Sequence, residues 1–392
     1  MRMPPFPTPC MFSIKDRVSQ TSRLNLGYNP YKRIKRRKRT HIMTSPHGNC
    51  ARQVTVFGGS GFVGRHLVQR LAARGDVIRV AVRDPYVAQF LTTCGDVGQV
   101  VPVAVDIRDA VTVAAAVEGV DAVVNLVGIL YESGPGVRGN TFESIHHQGA
   151  ANVAKAAAAA GVGALVQISA IGANKYSPAT YACTKAKGED AVHAAFSDAS
   201  VIRPSIIFGP EDGFFNLFAS LMRITPVLPV IGCSLPRLEF PAPGKGIGLP
   251  HLNIYGNGGP RFQPVYVGDV AQAICVCLDS PQCRGETFEL GGPDVRSFKE
   301  LMELLLAQTG RRRFLAPVPF WLASVMAAFA ELLPKPLLTR DQVNLLRRDN
   351  MVGRKARTFS ALGITPTSME IVLPTYLTRF CSGEAIRQAR QS

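Results

Sequence analysis

Nowhere in the 392 residues does an unbroken apolar run reach the roughly 18 residues that a spanning helix needs. The nearest stretch, 314–330, carries no charge, but Pro317 and Pro319 break it and Glu331 follows it. An apolar helix over 321–333 is expected there instead. Two readings of that helix stay open: it packs in a core or lobe, or it docks on a membrane surface or a partner subunit beside Arg311, Arg312 and Arg313. Internal repeats are lacking too, and with them any solenoid or propeller. Nine cysteines stand scattered at positions 10, 50, 94, 183, 233, 275, 277, 283 and 381, with no secretory signal ahead of them, so reduced thiols in an intracellular protein are expected. Cys275 and Cys277 lie on an expected helix, which points their thiols apart, and no histidine joins them or Cys283, so no metal site is expected.

Acids are nearly missing from residues 1–52, which hold twelve Lys or Arg and one acid, Asp16. Eleven of the sixteen net positive charges therefore sit there and five on the rest of the chain. The basic balance says little about the folded part. A nucleic-acid role would rest on the cluster from Lys32 to Arg39 alone, and no nucleic-acid partner is expected. The segment reads as a disordered basic extension with three origins open. It is poor in acids like an organellar presequence, yet it has prolines and no clean apolar face. A start at Met43, just before the first strand, is the second. A basic tail on an anionic membrane or nucleic acid is the third.

The whole chain is 46% apolar, and what remains beyond residue 52 is long enough for a full α/β core with an appended lobe. From Gln53 onward, β-branched runs at 54–57, 78–82, 100–105, 122–126, 165–168 and 200–203 alternate with alanine-rich helical stretches at 62–74, 111–117, 145–160 and 181–196. That alternation predicts a Rossmann-type, doubly wound parallel sheet of the α/β class. A dinucleotide-binding domain is expected over 53–210, with returning elements near 261–290 and a last strand at 288–290. Proline and glycine crowd 226–260, so 211–260 reads as a loop region. Residues 291–392 form a smaller, mainly helical C-terminal lobe, with amphipathic pieces at 301–308 and 340–348.

The motifs fall where such a sheet binds ligands, beyond the carboxyl ends of its strands. Gly58-Gly59-Ser60-Gly61-Phe62-Val63-Gly64 follows a strand and opens a helix. The first glycine of its Gly58, Gly61, Gly64 spacing permits the tight turn, the second admits a pyrophosphate, and the third lets helix and strand approach. Arg83 ends the second strand, where an NAD site would place a carboxylate; a guanidinium suits a 2′-phosphate and so NADPH. Asp84, one residue on, keeps NAD open. Asp106 ends the third strand as an acceptor for the adenine amino group or as a cap, and Ile107 lies beside it. Asn125, Leu126, Val127 and Gly128 end the fourth strand with small backbone suited to the adenosine and ribose.

Tyr181 and Lys185 stand one helical turn apart after the fifth strand. The ammonium would favour the ionised tyrosine and lower a pKa that starts near 10, fitting it to pass a proton while hydride moves. Ser169 is the other candidate hydroxyl, bonding a substrate or capping the strand end. His146 and His147 read as surface or ribose-edge residues. Glu211 and Asp212 read as a helix cap.

Taken with Asn152, 203–209 and 263–270, these motifs resemble the extended, atypical short-chain dehydrogenases/reductases over about 53–290. The runs 125–131 and 338–350 narrow the likeness to the NADPH-binding accessory subunit of respiratory complex I and its bacterial homologues, over nearly the whole chain from residue 53. The resemblance implies that Pro204 and Ile206 join the nucleotide site, and that the nucleotide is a structural element. It also implies other subunits of a respiratory or quinone-linked complex as partners, and a place in the cytoplasm, peripherally on a bacterial inner membrane, or on the mitochondrial matrix side. Two departures stand out. An active reductase usually has a serine or threonine just past Ser169, where this chain has Ala170 and Ile171; one missing donor costs a few kcal/mol in the transition state. The segment 233–257 is longer than the resemblance implies. Two functions are therefore carried: an NADPH-holding assembly subunit, and an NADP-dependent reductase, dehydrogenase or epimerase using Tyr181, Lys185 and Ser169.

Overall fold

The computed structural model describes residues 51–133, 139–233, 237–239, 251–334 and 336–381. Residues 1–50 of the basic stretch with its three readings, Met43, Cys10, Cys50 and most of 233–257 lie outside the described residues, whereas Arg52 is described and pairs with Asp76.

The first half of the chain alternates as its pattern predicts: β1 (Gln53–Phe57), α1 (Phe62–Ala73), β2 (Val77–Val82), β3 (Val100–Ala104), α2 (Ala110–Val117), β4 (Ala122–Asn125), α3 (Ala150–Ala159), β5 (Ala164–Ile168), α4 (Thr180–Ala195) and β6 (Ser200–Pro204). There follow β7 (Ile207–Phe208), α5 (Phe215–Ile224), β8 (Val227–Ile231), β9 (Arg237–Glu239), β10 (His251–Asn253), β11 (Arg261–Phe262), β12 (Val265–Tyr266) and α6 (Val267–Asp279). The chain then runs through β13 (Thr287–Leu290), β14 (Arg296–Ser297), α7 (Phe298–Thr309), β15 (Phe314–Val318), α8 (Phe320–Ala330), α9 (Arg340–Leu345) and α10 (Met369–Leu377).

Seven parallel strands make the central sheet in the order β13-β6-β5-β4-β1-β2-β3. The chain builds outward from β1 to β3, then crosses back to lay β4 on the other side of β1. Strand order thus reverses between β1 and β4, and a crevice opens at their carboxyl ends. Val54, Thr55, Val56 and Phe57 are all buried, as a strand covered on both faces requires. Leu67, Leu71 and Ile274 of α1 and α6 cover one face. Val113, Val153 and Ala157 of α2 and α3 cover the other. A third apolar cluster joins Phe215 and Met222 of α5, Leu301 and Leu305 of α7, and Leu373 and Leu377 of α10. Capping boxes start α7 (Ser297 with Glu300) and α9 (Thr339 with Gln342).

Two expectations are corrected. The region 211–260 is not loop throughout: α5 occupies part of it, and β8 pairs in parallel with β15, Leu228 beside Leu315 and Val230 beside Pro317. A two-stranded pair leaves an open edge on each strand, where the N–H that Pro229 and Pro317 lack is not needed by the ladder. The apolar run 314–330 accordingly splits into β15 and α8. The helix expected over 145–160 instead begins with a π-helical segment, Glu143–Gly149, before α3.

Candidate nucleotide site

The turn after β1 is built by contacts that exclude side chains. Gly58 has φ +76°, in the left-handed region open to glycine, and its N–H donates to the Ala81 carbonyl at 3.0 Å. A Cβ on Gly64 would lie 2.5 Å from the Gly58 carbonyl and from two backbone atoms of Gly59. Helix α1 therefore starts directly against the turn, with its N-cap Gly61 on the cleft wall. Here a cleft of about 270 Å³ runs across the switch point. Of the residues singled out in the sequence, Gly58, Ser60, Gly61, Arg83, Asp106, Ile107, Leu126, Val127 and Gly128 line it. Phe62, Val63 and Gly64 stand behind it on the first turn of α1. Asn125 is buried below; its side chain donates to Gln167 at 2.8 Å and accepts from the Val127 N–H at 3.1 Å, shaping the loop above it.

On the cleft wall at the end of β3, Asp106 is held by Arg108, with Nε at 2.9 Å and Nη2 at 2.6 Å. That hydrogen bonding keeps the Asp106 carboxyl below the usual carboxylate range. Its charge is matched inside the pair. Arg83 is exposed, lines the cleft, and donates through Nη1 to Asn140 Oδ1 at 3.3 Å. Asn140 and Ile145 also line the cleft and were missed in the sequence. No spacing marks Asn140, which is held by an antiparallel bridge to Ser133.

The remaining candidates gather where strands β5 and β6 end, off the cleft lining. Lys185 is buried; its Nζ donates to the Ile168 carbonyl at 3.3 Å and sits 6.0 Å from the Tyr181 ring centroid. Burial pushes Lys185 down to about 8 and Tyr181 up to about 12. The expected lowering of the tyrosine is thus corrected: helical spacing gives a shared face, but desolvation moves the hydroxyl the other way. The Ser169 hydroxyl is buried and has no hydrogen-bond partner among the described residues. Pro204 is buried and Ile206 half-buried beyond β6.

His146 is a second correction. It is buried, not at the surface: Nε2 accepts from the Ile129 N–H at 3.0 Å and Nδ1 pairs with Thr184 Oγ1 at 3.2 Å. Its ring stacks on Phe142 and meets Tyr181 edge-on. Burial, followed by the Lys185 charge, drives its pKa down to about 2, so the imidazole is neutral. His147 is half-buried and pairs with Glu143. Asn152 donates to the Ile107 and Arg108 carbonyls. Asp212 caps α5 through the Phe215 N–H at 2.6 Å, as expected for a helix cap, while Glu211 instead pairs with His66.

The residues present fit a dinucleotide: a cradle that a Cβ would fill, a guanidinium on the cleft wall and, off its lining, an orphan buried hydroxyl. A parallel switch-point cleft under such a glycine turn, with tyrosine and lysine on the following helix, defines a Rossmann-type nicotinamide-nucleotide protein. The chain belongs to the NAD dependent epimerase/dehydratase family, whose model matches residues 54–291. It is 33% identical over 341 residues to the "NADH dehydrogenase [ubiquinone] 1 alpha subcomplex subunit 9, mitochondrial" of Arabidopsis thaliana, covering 84% of this chain and 78% of that one. It is 29% identical to the "NADH-ubiquinone oxidoreductase 40 kDa subunit, mitochondrial" of Neurospora crassa, over 84% of this chain and 79% of the relative. In fold it is similar to the NADPH-dependent quinone oxidoreductase QOR2 of Escherichia coli complexed with NADPH, with a TM-score of 0.59 at 17% identity, covering 83% of this chain and 99% of that structure.

Outside the cleft, α8 carries an uncovered apolar stripe. Trp321, Val325 and Phe329 recur every four residues, and Trp321 and Phe329 are 65% and 70% exposed. No helix among the described residues is long and apolar enough to cross a membrane.

Proposed function

We propose that the protein holds NADPH as a structural element and serves as a subunit of respiratory complex I or a related quinone-linked assembly. The observation that carries the reading is an imbalance within the site. A cleft lies under a glycine turn that a Cβ would fill, whereas at the reactive end Ala170 and Ile171 offer no second hydroxyl beside Ser169. Complex I subunits among the relatives support the assembly role. The stripe on α8 supplies a face for another subunit, since exposed aromatic and aliphatic groups in register favour burial against a partner. Arg83 supports NADPH over NADH, because the charge of Asp106 is already answered by Arg108. Gly58, Ser60, Gly61 and the first turn of α1 would hold the pyrophosphate, Asp106 and Ile107 the adenine, Asn125 to Gly128 the ribose, and Ser169, Tyr181, Lys185, Pro204 and Ile206 the nicotinamide end. The mitochondrial relatives support a place in the mitochondrion, and the resemblance implies the matrix side of the inner membrane or, in a bacterium, its cytoplasmic face.

A second reading keeps the unpartnered Ser169 hydroxyl for a substrate oxygen, with Tyr181 as acid or base and Lys185 beside it, in an NADP-dependent reductase, dehydrogenase or epimerase. The bound nucleotide would then supply or accept hydride. Denaturing the purified protein and identifying the released nucleotide, then assaying NADPH oxidation with carbonyl and nucleotide-sugar substrates, separates the two. Under the first reading NADPH is released, no substrate oxidises it, and Tyr181→Phe binds as tightly as the wild type. Hydride transfer that Tyr181→Phe abolishes would establish the second.

A further inference from the structure

The segment 338–350 lies far from the cleft in sequence, yet its polar groups reach the loops after β4, β5 and β6 and the start of α4. Asp341 accepts from the Thr180 N–H at 2.6 Å and the Tyr181 N–H at 3.0 Å. Helix α4 has no side-chain cap of its own, its N-cap residue being Ala179. A carboxylate from 160 residues away therefore satisfies its first amides and its positive end. Gln342 donates to the Leu130 carbonyl at 3.4 Å, just past Gly128 and Ile129. Asn350 donates to the Ile171 carbonyl at 3.4 Å and accepts from the Ser205 hydroxyl at 2.6 Å, between Pro204 and Ile206. One strap thus ties the loops after β4, β5 and β6 to the start of the Tyr181 helix.

Its other side faces α8. Arg340 donates from N to Glu331 Oε1 at 2.7 Å and from Nε to Oε2 at 2.8 Å, at the end of that helix. The Arg347 guanidinium stands 5.1 Å from the Phe320 ring at its start.

We propose that Asp341 is a positioning residue for the nucleotide, fixing the start of α4 from the strap so that the cleft and the α8 face stabilise each other. The inference rests on the reading that a nicotinamide dinucleotide occupies this cleft. Gripping the nucleotide then orders the strap and α8, and by reciprocity an ordered α8 tightens the grip.

The test titrates full-length protein with NADPH, followed by the nicotinamide fluorescence, and records thermal melting with and without NADPH. Asp341→Ala should raise the NADPH Kd about three- to tenfold, the range of one lost helix cap, and shrink the NADPH-induced rise in Tm. Asp341→Asn keeps one acceptor oxygen and should fall between Asp341→Ala and the wild type. Asp279→Asn is the control for stability alone, since Asp279 pairs with Arg52 and Arg74 at the end of α6, away from the cleft. It should lower Tm and leave Kd unchanged. Should the Asp341 variants behave like Asp279→Asn, the strap is scaffolding only and the inference fails. If the wild type binds neither NADPH nor NADH, the nucleotide reading fails first and takes the inference with it.

Discussion

Replacing Arg83 by aspartate tests the 2′-phosphate assignment on the feature that distinguishes the two nucleotides. A charge-assisted hydrogen bond contributes about 1.5–3 kcal/mol, and the exposure of Arg83 places it toward the lower value. The new carboxylate adds repulsion against a dianionic phosphate, roughly 1 kcal/mol at a separation of about 6 Å in a water-like dielectric. Asp106 adds little to the effect, because Arg108 hydrogen-bonds it and Arg83 is the smallest of the influences on its carboxyl. The expected loss is therefore about 2–3 kcal/mol, or some 30- to 140-fold in the NADPH Kd. NADH lacks the 2′-phosphate and should change less than about threefold. Fluorescence titration of both nucleotides at about 0.15 M salt measures the two losses under realistic screening. Equal loss of NADH and NADPH refutes the assignment, since the arginine would then be shaping the cleft without reading the phosphate.

Two further outcomes follow from contacts around the cleft. Gly64→Ala puts a methyl 2.5 Å from the backbone of Gly58 and Gly59, so urea denaturation should show a loss of about 1–3 kcal/mol together with weaker NADPH binding; an unchanged midpoint would show that α1 does not start against the turn. His146 has a folded pKa of about 2 against 6.5 unfolded, so the unfolded chain binds the extra proton between those values. Its contribution is complete above about pH 6.5 and is lost as pH falls, by about 1.4 kcal/mol per unit. Urea midpoints at about pH 7.5 and 5.5 should therefore diverge more in the wild type than in His146→Gln; identical pH dependence in both would mean that the imidazole is not buried neutral.

Features carried by adjacent residues were legible in the chain. The glycine turn, Arg83 at the end of β2 and the alternation from β1 to β6 all follow from local pattern, and the structure places them as expected. Patterns that depend on depth were not. The four-residue spacing of Tyr181 and Lys185 gives a common face but no measure of water exclusion, and water exclusion sets the direction of both pKa values. His146 looked peripheral because nothing nearby marks it, while its environment is made by Ile129, Thr184 and Tyr181 from other elements. Strand β8 was hidden by the prolines around it, which an open-edged pair tolerates and a central strand would not. Asp341 could not be assigned because its partners lie on another element and a helix cap from a distant segment leaves no motif.

The reach of the strap also bears on the order in which the molecule forms. Contacts between Asn350 and Ile171 close a separation of 179 residues, and those between Asp341 and Tyr181 one of 160, whereas β1 and β2 meet across a single short helix. Closing long loops costs chain entropy before any contact repays it, so such contacts form late. Pulse-labelled hydrogen exchange during refolding would register this as protection of the Thr180 and Tyr181 amides after those of β1 and β2. The ends of β5 and β6 and the start of the Tyr181 helix would then be the last part of the fold to form.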